Sequence, residues 1–220
     1  LDFAEHNPGE ALLSLLRRIA EIPGVERIRI GSFEPMILTE EFVKELARIR
    51  GLCPHFHISL QSGCDDTLKR MNRRYTSGEY YERTELLRKY FPGAAITTDV
   101  IVGFPGETDE LFMETYNFLK DVVRPAFIHI FPYSRRAGTP AADRKDQVQD
   151  CVKTKRVQML EALCAQLHKE FLESNAGVEE SVLFESTDRK GMMEGYTGNY
   201  IRISRPFDPE LIGKIVKTII

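Results

Sequence analysis

The chain has 220 residues, 42% hydrophobic and 29% charged, a mixture that builds one good-sized globular domain or a domain with a small appendage. A formal net charge of -3 and a pI near 6.0 exclude a global electrostatic pull toward nucleic acid, so any such binding must rest on local basic clusters. No apolar run approaches the ~18 residues a membrane span requires, and the opening Leu1-Asp2-Phe3-Ala4-Glu5-His6 lacks a secretory pattern, which reads as a cytoplasmic protein.

An amphipathic helix is expected over residues 9–22, where Leu12, Leu13, Leu15, Leu16 and Ile19 recur at helical spacing before Pro23-Gly24 stops the run. Residues 26–32 alternate Ile28 and Ile30 with Arg27 and Arg29, then break at Gly31-Ser32-Phe33-Glu34-Pro35, as a strand ending in a functional loop does. A helix capped by Thr39 should run to about residue 50. The unit then repeats. A strand over 56–60 ends in Gln61-Ser62-Gly63 and is followed by helical stretches to about residue 90. A strand over 95–102 ends in Gly103-Phe104-Pro105-Gly106, a helix follows over 107–122, and a strand over 126–130 ends in Phe131-Pro132-Tyr133-Ser134.

Strands alternating with helices imply right-handed crossovers, a parallel sheet, and ligands at the carboxyl ends of the strands. Four strands are too few to close a barrel. The chain also opens on a helix and has no initiator Met, so at least one further βα unit is expected upstream, in a longer product. Residues 1–146 thus read as the later part of a parallel (βα) barrel and residues 147–176 as a connecting helix. Residues 177–220 read as a small β-barrel or sheet, with strands over 181–185, 191–196, 200–204 and 214–220.

Asp99 lies on an otherwise apolar strand, where a carboxylate needs paired ligand hydroxyls, a cation or a structural ion-pair partner. Gly103, Pro105 and Gly106 let backbone approach a ligand closely, and Glu107-Thr108 opens the next helix. Gln61 can reach the same crevice. Lys69, Arg70, Arg73 and Arg74 form a basic cluster that is either a solvated helix face or, through Arg73 or Arg74, a carboxylate grip.

His55, His57 and His129 lack metal-ligand spacing and read as packed or hydrogen-bonded. Cys53, Cys64, Cys151 and Cys164 are scattered without a CxxC pair and read as ordinary thiols. Arg135 and Arg136, with Arg144, Lys145, Lys153, Lys155 and Arg156, could contact a polyanion or be surface charge. Tyr196, Asn199, Tyr200 and Arg202 alternate as an RNA-stacking face does, or as an aromatic pair steadying a tiny sheet.

Three blocks in order, HISLQSGCDDTLKRMNRRYT, TTDVIVGFPGETDE and HIFPYSRRAGTPAA, resemble the radical S-adenosylmethionine methylthiotransferases that modify tRNA adenosines. EGYTGNYIRI followed by LIGKIVKTII looks like the TRAM domain, a small RNA-binding β-barrel that closes these enzymes. The GTPAA loop with DQV after it and the GYTGNY segment look most like the branch acting on N6-threonylcarbamoyladenosine. The isopentenyladenosine and ribosomal protein S12 branches remain alternatives, as does an RNA-binding module without catalysis.

The resemblance implies a reductively cleaved S-adenosylmethionine whose deoxyadenosyl radical abstracts hydrogen from adenine C2, followed by methylthio insertion. It also implies two four-iron four-sulfur clusters, an electron donor such as flavodoxin or ferredoxin, and tRNA as partner, with no membrane. The family's CxxxCxxC cluster motif is not in this sequence, so the 220 residues alone are expected to be inactive. By the same resemblance Ser32 and Glu34 stand beside the amino acid or ribose end of the cofactor. Gln61 and Asp99 stand near its ribose, Arg73 near its carboxylate, Gly103 against it, and Phe131 and Tyr133 on the adenine side.

Overall fold

The computed structural model describes residues 8–187 and 191–220. Helix α1 (Pro8–Ala20) buries Leu13 and Leu16, the stripe its periodicity marks. Helix α2 (Glu40–Leu46) starts where Thr39 accepts a hydrogen bond from the Phe42 N–H at 3.2 Å. After α3 (Asp65–Arg70), helix α4 (Ser77–Tyr90) opens on a reciprocal cap in which Thr76 and Glu79 satisfy each other's backbone N–H groups.

Four strands, β1 (Ser32–Phe33), β2 (His55–Ile58), β3 (Ala95–Val102) and β4 (Phe127–Pro132), pair in the order β1-β2-β3-β4, all parallel. On β3 the alternate residues Ile96, Thr98, Val100 and Val102 are buried in the core beneath the helices, while Asp99 and Ile101 on the other face are only partly covered. Tyr80 of α4 reaches the Ile58 carbonyl with its hydroxyl, which seats that helix on the buried face. Helix α5 (Asp109–Asn117) runs on into a π turn, Phe118–Val123, that Arg124 ends in the left-handed region at φ 47°.

The strand expected over 26–32 is the main departure. Only Ser32 and Phe33 join the ladder, and Ile28 makes an isolated bridge to Leu52. Ile28 stands opposite Leu52 but Ser32 stands opposite His57, so the partner segment carries one extra residue between the two contacts. Pro54 lies in that stretch, with no N–H to offer the ladder.

A long helix, α6 (Asp150–Asn175), packs on β4 and carries the chain to a second sheet. Strands β5 (Glu179–Thr187), β6 (Met192–Thr197), β7 (Arg202–Pro206) and β8 (Ile215–Ile219) are antiparallel in the order β7-β6-β5-β8. Of the small β-barrel or sheet expected here, the described residues form an open antiparallel sheet with β7 and β8 at its edges. Val182, Phe184 and Met193 are its fully buried apolar residues, a core too small to enclose on every side.

This sheet docks on the amino ends of the parallel strands. The Arg27 guanidinium donates to the carbonyl oxygens of Tyr196, at 2.7 Å, and of Ser181. Asn199, 4% exposed, donates to the carbonyl of Gly93 and to Asn175 Oδ1, both at 3.1 Å. Tyr200 stacks on Tyr196 at 4.7 Å, carries the Arg29 guanidinium 4.4 Å from its ring centre, and meets the His55 ring at 5.0 Å.

Burial, with Arg29, His57 and His129 adding to it, holds His55 below its usual 6.5, at about 4. The unfolded chain therefore takes up the proton first, and stability is lost as pH falls from about 6.5 toward about 4. The urea midpoint should drop between about pH 7 and about pH 5, and the drop should shrink in His55→Gln. Equal drops in both proteins would assign the effect to other groups.

Candidate functional site

At the carboxyl end of the parallel sheet the chain turns repeatedly inward. Gln61, 8% exposed and held at φ 67°, is woven into β3: its N–H donates to the Asp99 carbonyl at 2.8 Å and its own carbonyl accepts from the Ile101 N–H at 2.9 Å. Asp99 projects from the face of β3 that the helices leave open. Its Oδ2 lies 3.1 Å from His57 Nε2, and His57 Nδ1 lies 3.0 Å from Thr97 Oγ1. Ser32 and Glu34 are exposed at the end of β1, and Glu34 Oε1 stands 3.5 Å from the Arg73 guanidinium. That pair is solvated and weak, so a ligand carboxylate can replace Glu34 at little cost.

Gly103 sits at φ 73°, and a Cβ there would run into the stem of Lys153 from α6. Its N–H donates to Glu107 Oε2 at 2.6 Å, and the same oxygen takes the Arg156 guanidinium at 2.7 Å. Both side chains are buried, 1% and 4% exposed, while a second Arg156 nitrogen reaches Asp109 at 2.8 Å. Burial pushes the Glu107 carboxyl above its usual range, against the Gly103 N–H and Arg156, which favour the anion.

Phe131, 51% exposed, lies beside Ile101 in the register of β3 and β4. Tyr133 is pinned by its N–H to the Val102 carbonyl at 2.8 Å and packs edge-on to Phe104 at 5.2 Å. Its hydroxyl is buried with no hydrogen-bond partner among the described residues, and the Lys153 ammonium stands 5.8 Å from its ring. An open cleft of about 690 Å³ runs between Tyr133, Arg135, Gln149 and Lys153.

The structure thus gathers Gln61, Asp99, Gly103, Phe131 and Tyr133 at one strand-end mouth, with Ser32, Glu34 and Arg73 on its β1 side. Arg135 and Arg136 are exposed on the loop leaving β4, beside this mouth. Tyr196, Asn199, Tyr200 and Arg202 belong to the sheet docked at the other end. There Asn199 is committed to holding the two sheets together, Tyr200 is held between Tyr196 and Arg29, and Arg202 lies 3.5 Å from Glu194. Sequence reasoning named Lys153, Arg156 and His57 but did not place them at the mouth. Lys153 and Arg156 read as polyanion contacts or surface charge, although their i, i+3 spacing puts both on one side of α6. His57 was expected to be packed or hydrogen-bonded and is, with Thr97 and Asp99 as the partners that alternation alone could not name.

A carboxylate such as Asp99 can accept from hydroxyls and the Arg73 guanidinium can hold an anion, so the arrangement has the chemistry to bind a polar ligand that carries both groups. An iron–sulfur cluster does not fit what is described, because no group of three His, Cys, Asp or Glu side chains able to hold a metal occurs among the described residues.

A family model for the radical SAM superfamily matches residues 4–119, and the chain belongs to that superfamily. Curated proteins that it resembles include tRNA methylthiotransferases named for two different bases. It is 43% identical over 98% of its length to the threonylcarbamoyladenosine tRNA methylthiotransferase MtaB of Bacillus subtilis. It is 37% identical over 92% of its length to the tRNA-2-methylthio-N(6)-dimethylallyladenosine synthase of Pelotomaculum thermopropionicum. The chain spans about half of each relative, 48% and 46%. The solved radical SAM enzyme coproporphyrinogen III oxidase (HemN) of Escherichia coli shares the fold, with a TM-score of 0.56 at 22% identity over 72% of this chain and 36% of that one.

Removing one partner of a buried pair strands the other charge. Arg156→Met should therefore cost about 3–5 kcal/mol in urea denaturation, and Arg156→Met with Glu107→Leu should recover part of it. A loss below about 1 kcal/mol would show that the pair is solvated.

Proposed function

We propose that this chain forms the later barrel and the terminal β domain of a tRNA methylthiotransferase acting on N6-threonylcarbamoyladenosine. The observation that carries the reading is the strand-end row of Gln61, Asp99, Gly103 and Tyr133, in a chain 43% identical to a relative of that name. In this reading Asp99 and Gln61 hold the ribose of S-adenosylmethionine, and Arg73 holds its carboxylate in exchange for Glu34. Ser32 and Glu34 flank the amino acid end, the Gly103 backbone lies against the ligand, and Phe131 and Tyr133 enclose the adenine. With a reduced four-iron four-sulfur cluster, the cofactor supplies the oxidising power that activates an unreactive C–H bond. Two such clusters, held by residues outside this sequence, and a low-potential donor such as flavodoxin or ferredoxin complete the set.

The target is tRNA in the cytoplasm. Arg135 and Arg136 at the mouth, with Arg202 and the exposed edge of Tyr200 on a TRAM-like terminal sheet, supply phosphate and stacking contacts. The relatives named for dimethylallyladenosine, 37–42% identical, favour a second reading in which the same chemistry acts on that base.

Mass spectrometry of tRNA nucleosides from a strain lacking the gene distinguishes the two. Loss of the methylthio form of threonylcarbamoyladenosine is expected, loss of the dimethylallyl form would favour the second reading, and an unchanged nucleoside profile would reject both. The 220 residues by themselves should bind S-adenosylmethionine weakly or not at all, because cluster iron is needed to hold its amino and carboxylate groups. Tight binding by calorimetry would contradict that.

A further inference from the structure

Thr97, His57 and Asp99 form one hydrogen-bonded row on the face of the sheet that the helices leave open. The strand register sets it up: His57 pairs with Thr97 across β2 and β3, and Asp99 follows two residues on, on the same side of β3. Nδ1 of His57 lies 3.0 Å from the Thr97 hydroxyl, and Nε2 lies 3.1 Å from Asp99 Oδ2. An ionised carboxylate can only accept, so Nε2 carries a hydrogen. In the neutral ring Nδ1 then accepts, and the Thr97 hydroxyl donates to it.

Thr97 is 6% exposed, the His57 side chain 13% and the Asp99 side chain 27%. Exposure therefore rises along the row, from a packed hydroxyl to a carboxylate that meets open space. A carboxylate on a strand can swing between rotamers, and a hydrogen bond from a packed ring removes that freedom before a ligand arrives.

We infer that His57 is a positioning residue: it fixes Oδ2 of Asp99 so that Oδ1 is presented to a ribose hydroxyl, with the Thr97 hydroxyl steadying the other side of the ring. The inference rests on the reading of Asp99 as the acceptor for the cofactor's ribose.

The test uses the full-length protein with its clusters in place. Affinities for S-adenosylmethionine and for its 2′-deoxy and 3′-deoxy analogues are measured by calorimetry. His57→Phe should weaken S-adenosylmethionine binding about tenfold, the size of one hydrogen bond to a charged group. His57→Gln, whose amide nitrogen reaches the place of Nε2, should restore most of the affinity. His57→Asn, whose amide lies near Nδ1, should not. The loss in His57→Phe should also vanish for whichever analogue lacks the hydroxyl that Asp99 accepts.

Equal weakening toward all three ligands, or a Gln variant as weak as the Phe variant, would reduce His57 to a packing residue and overturn the inference. Because His57→Phe can perturb folding, the contrast between the Gln and Asn variants decides the matter if the Phe protein is unstable. Asp99→Asn separates the two levels of the argument. If it leaves affinity unchanged, the ribose reading of Asp99 is what fails. If it weakens binding while the His57 variants do not, the positioning role alone fails.

Discussion

The buried contact between Glu107 and Arg156 ties together parts of the chain that would otherwise be independent. One carboxylate oxygen takes both the Gly103 N–H and the Arg156 guanidinium, so the loop after β3 and the first half of α6 are fixed to each other. The Lys153 stem then lies over Gly103 and leaves no room for a side chain there. At the far end of α6, Asn175 takes the Asn199 amide and fastens the terminal sheet. The shape of the mouth and the seat of the terminal sheet thus depend on one helix, and the helix depends on a pair that is stable only while both members are present.

The parallel sheet was largely legible in the sequence because its signals are local. The strand over 95–102 has the expected bounds, and Thr39 caps the helix it was expected to cap. The strand over 26–32 misled because alternation describes side chains and says nothing about whether the neighbouring backbone can pair. Pro54 and the one-residue slip opposite it lie in a different segment.

What was legible is position: Asp99 on the open face near the end of its strand and the glycine turn after it, while the choice among hydroxyls, a cation and an ion-pair partner for Asp99 was not, and the structure shows it beside His57. The candidate site was not legible where the role depends on docking. Arg27 and Arg29 look like the wet side of a strand and are instead fasteners to the second sheet. Asn199 looks like part of a polar surface row and is instead buried between the two sheets, whereas Tyr200 packs one side on Tyr196 and His55 and keeps half its surface exposed. Arg156 shares a basic stretch with exposed Lys155 and differs from it only in the side of the helix it occupies.

Helix α6 also acts as a caliper. Its 26 residues span about 39 Å at the usual rise of roughly 1.5 Å per residue. One tip stands at the strand-end mouth and the other at the terminal sheet. The distance between the strand-end mouth and the terminal sheet is therefore set by a count of helical turns.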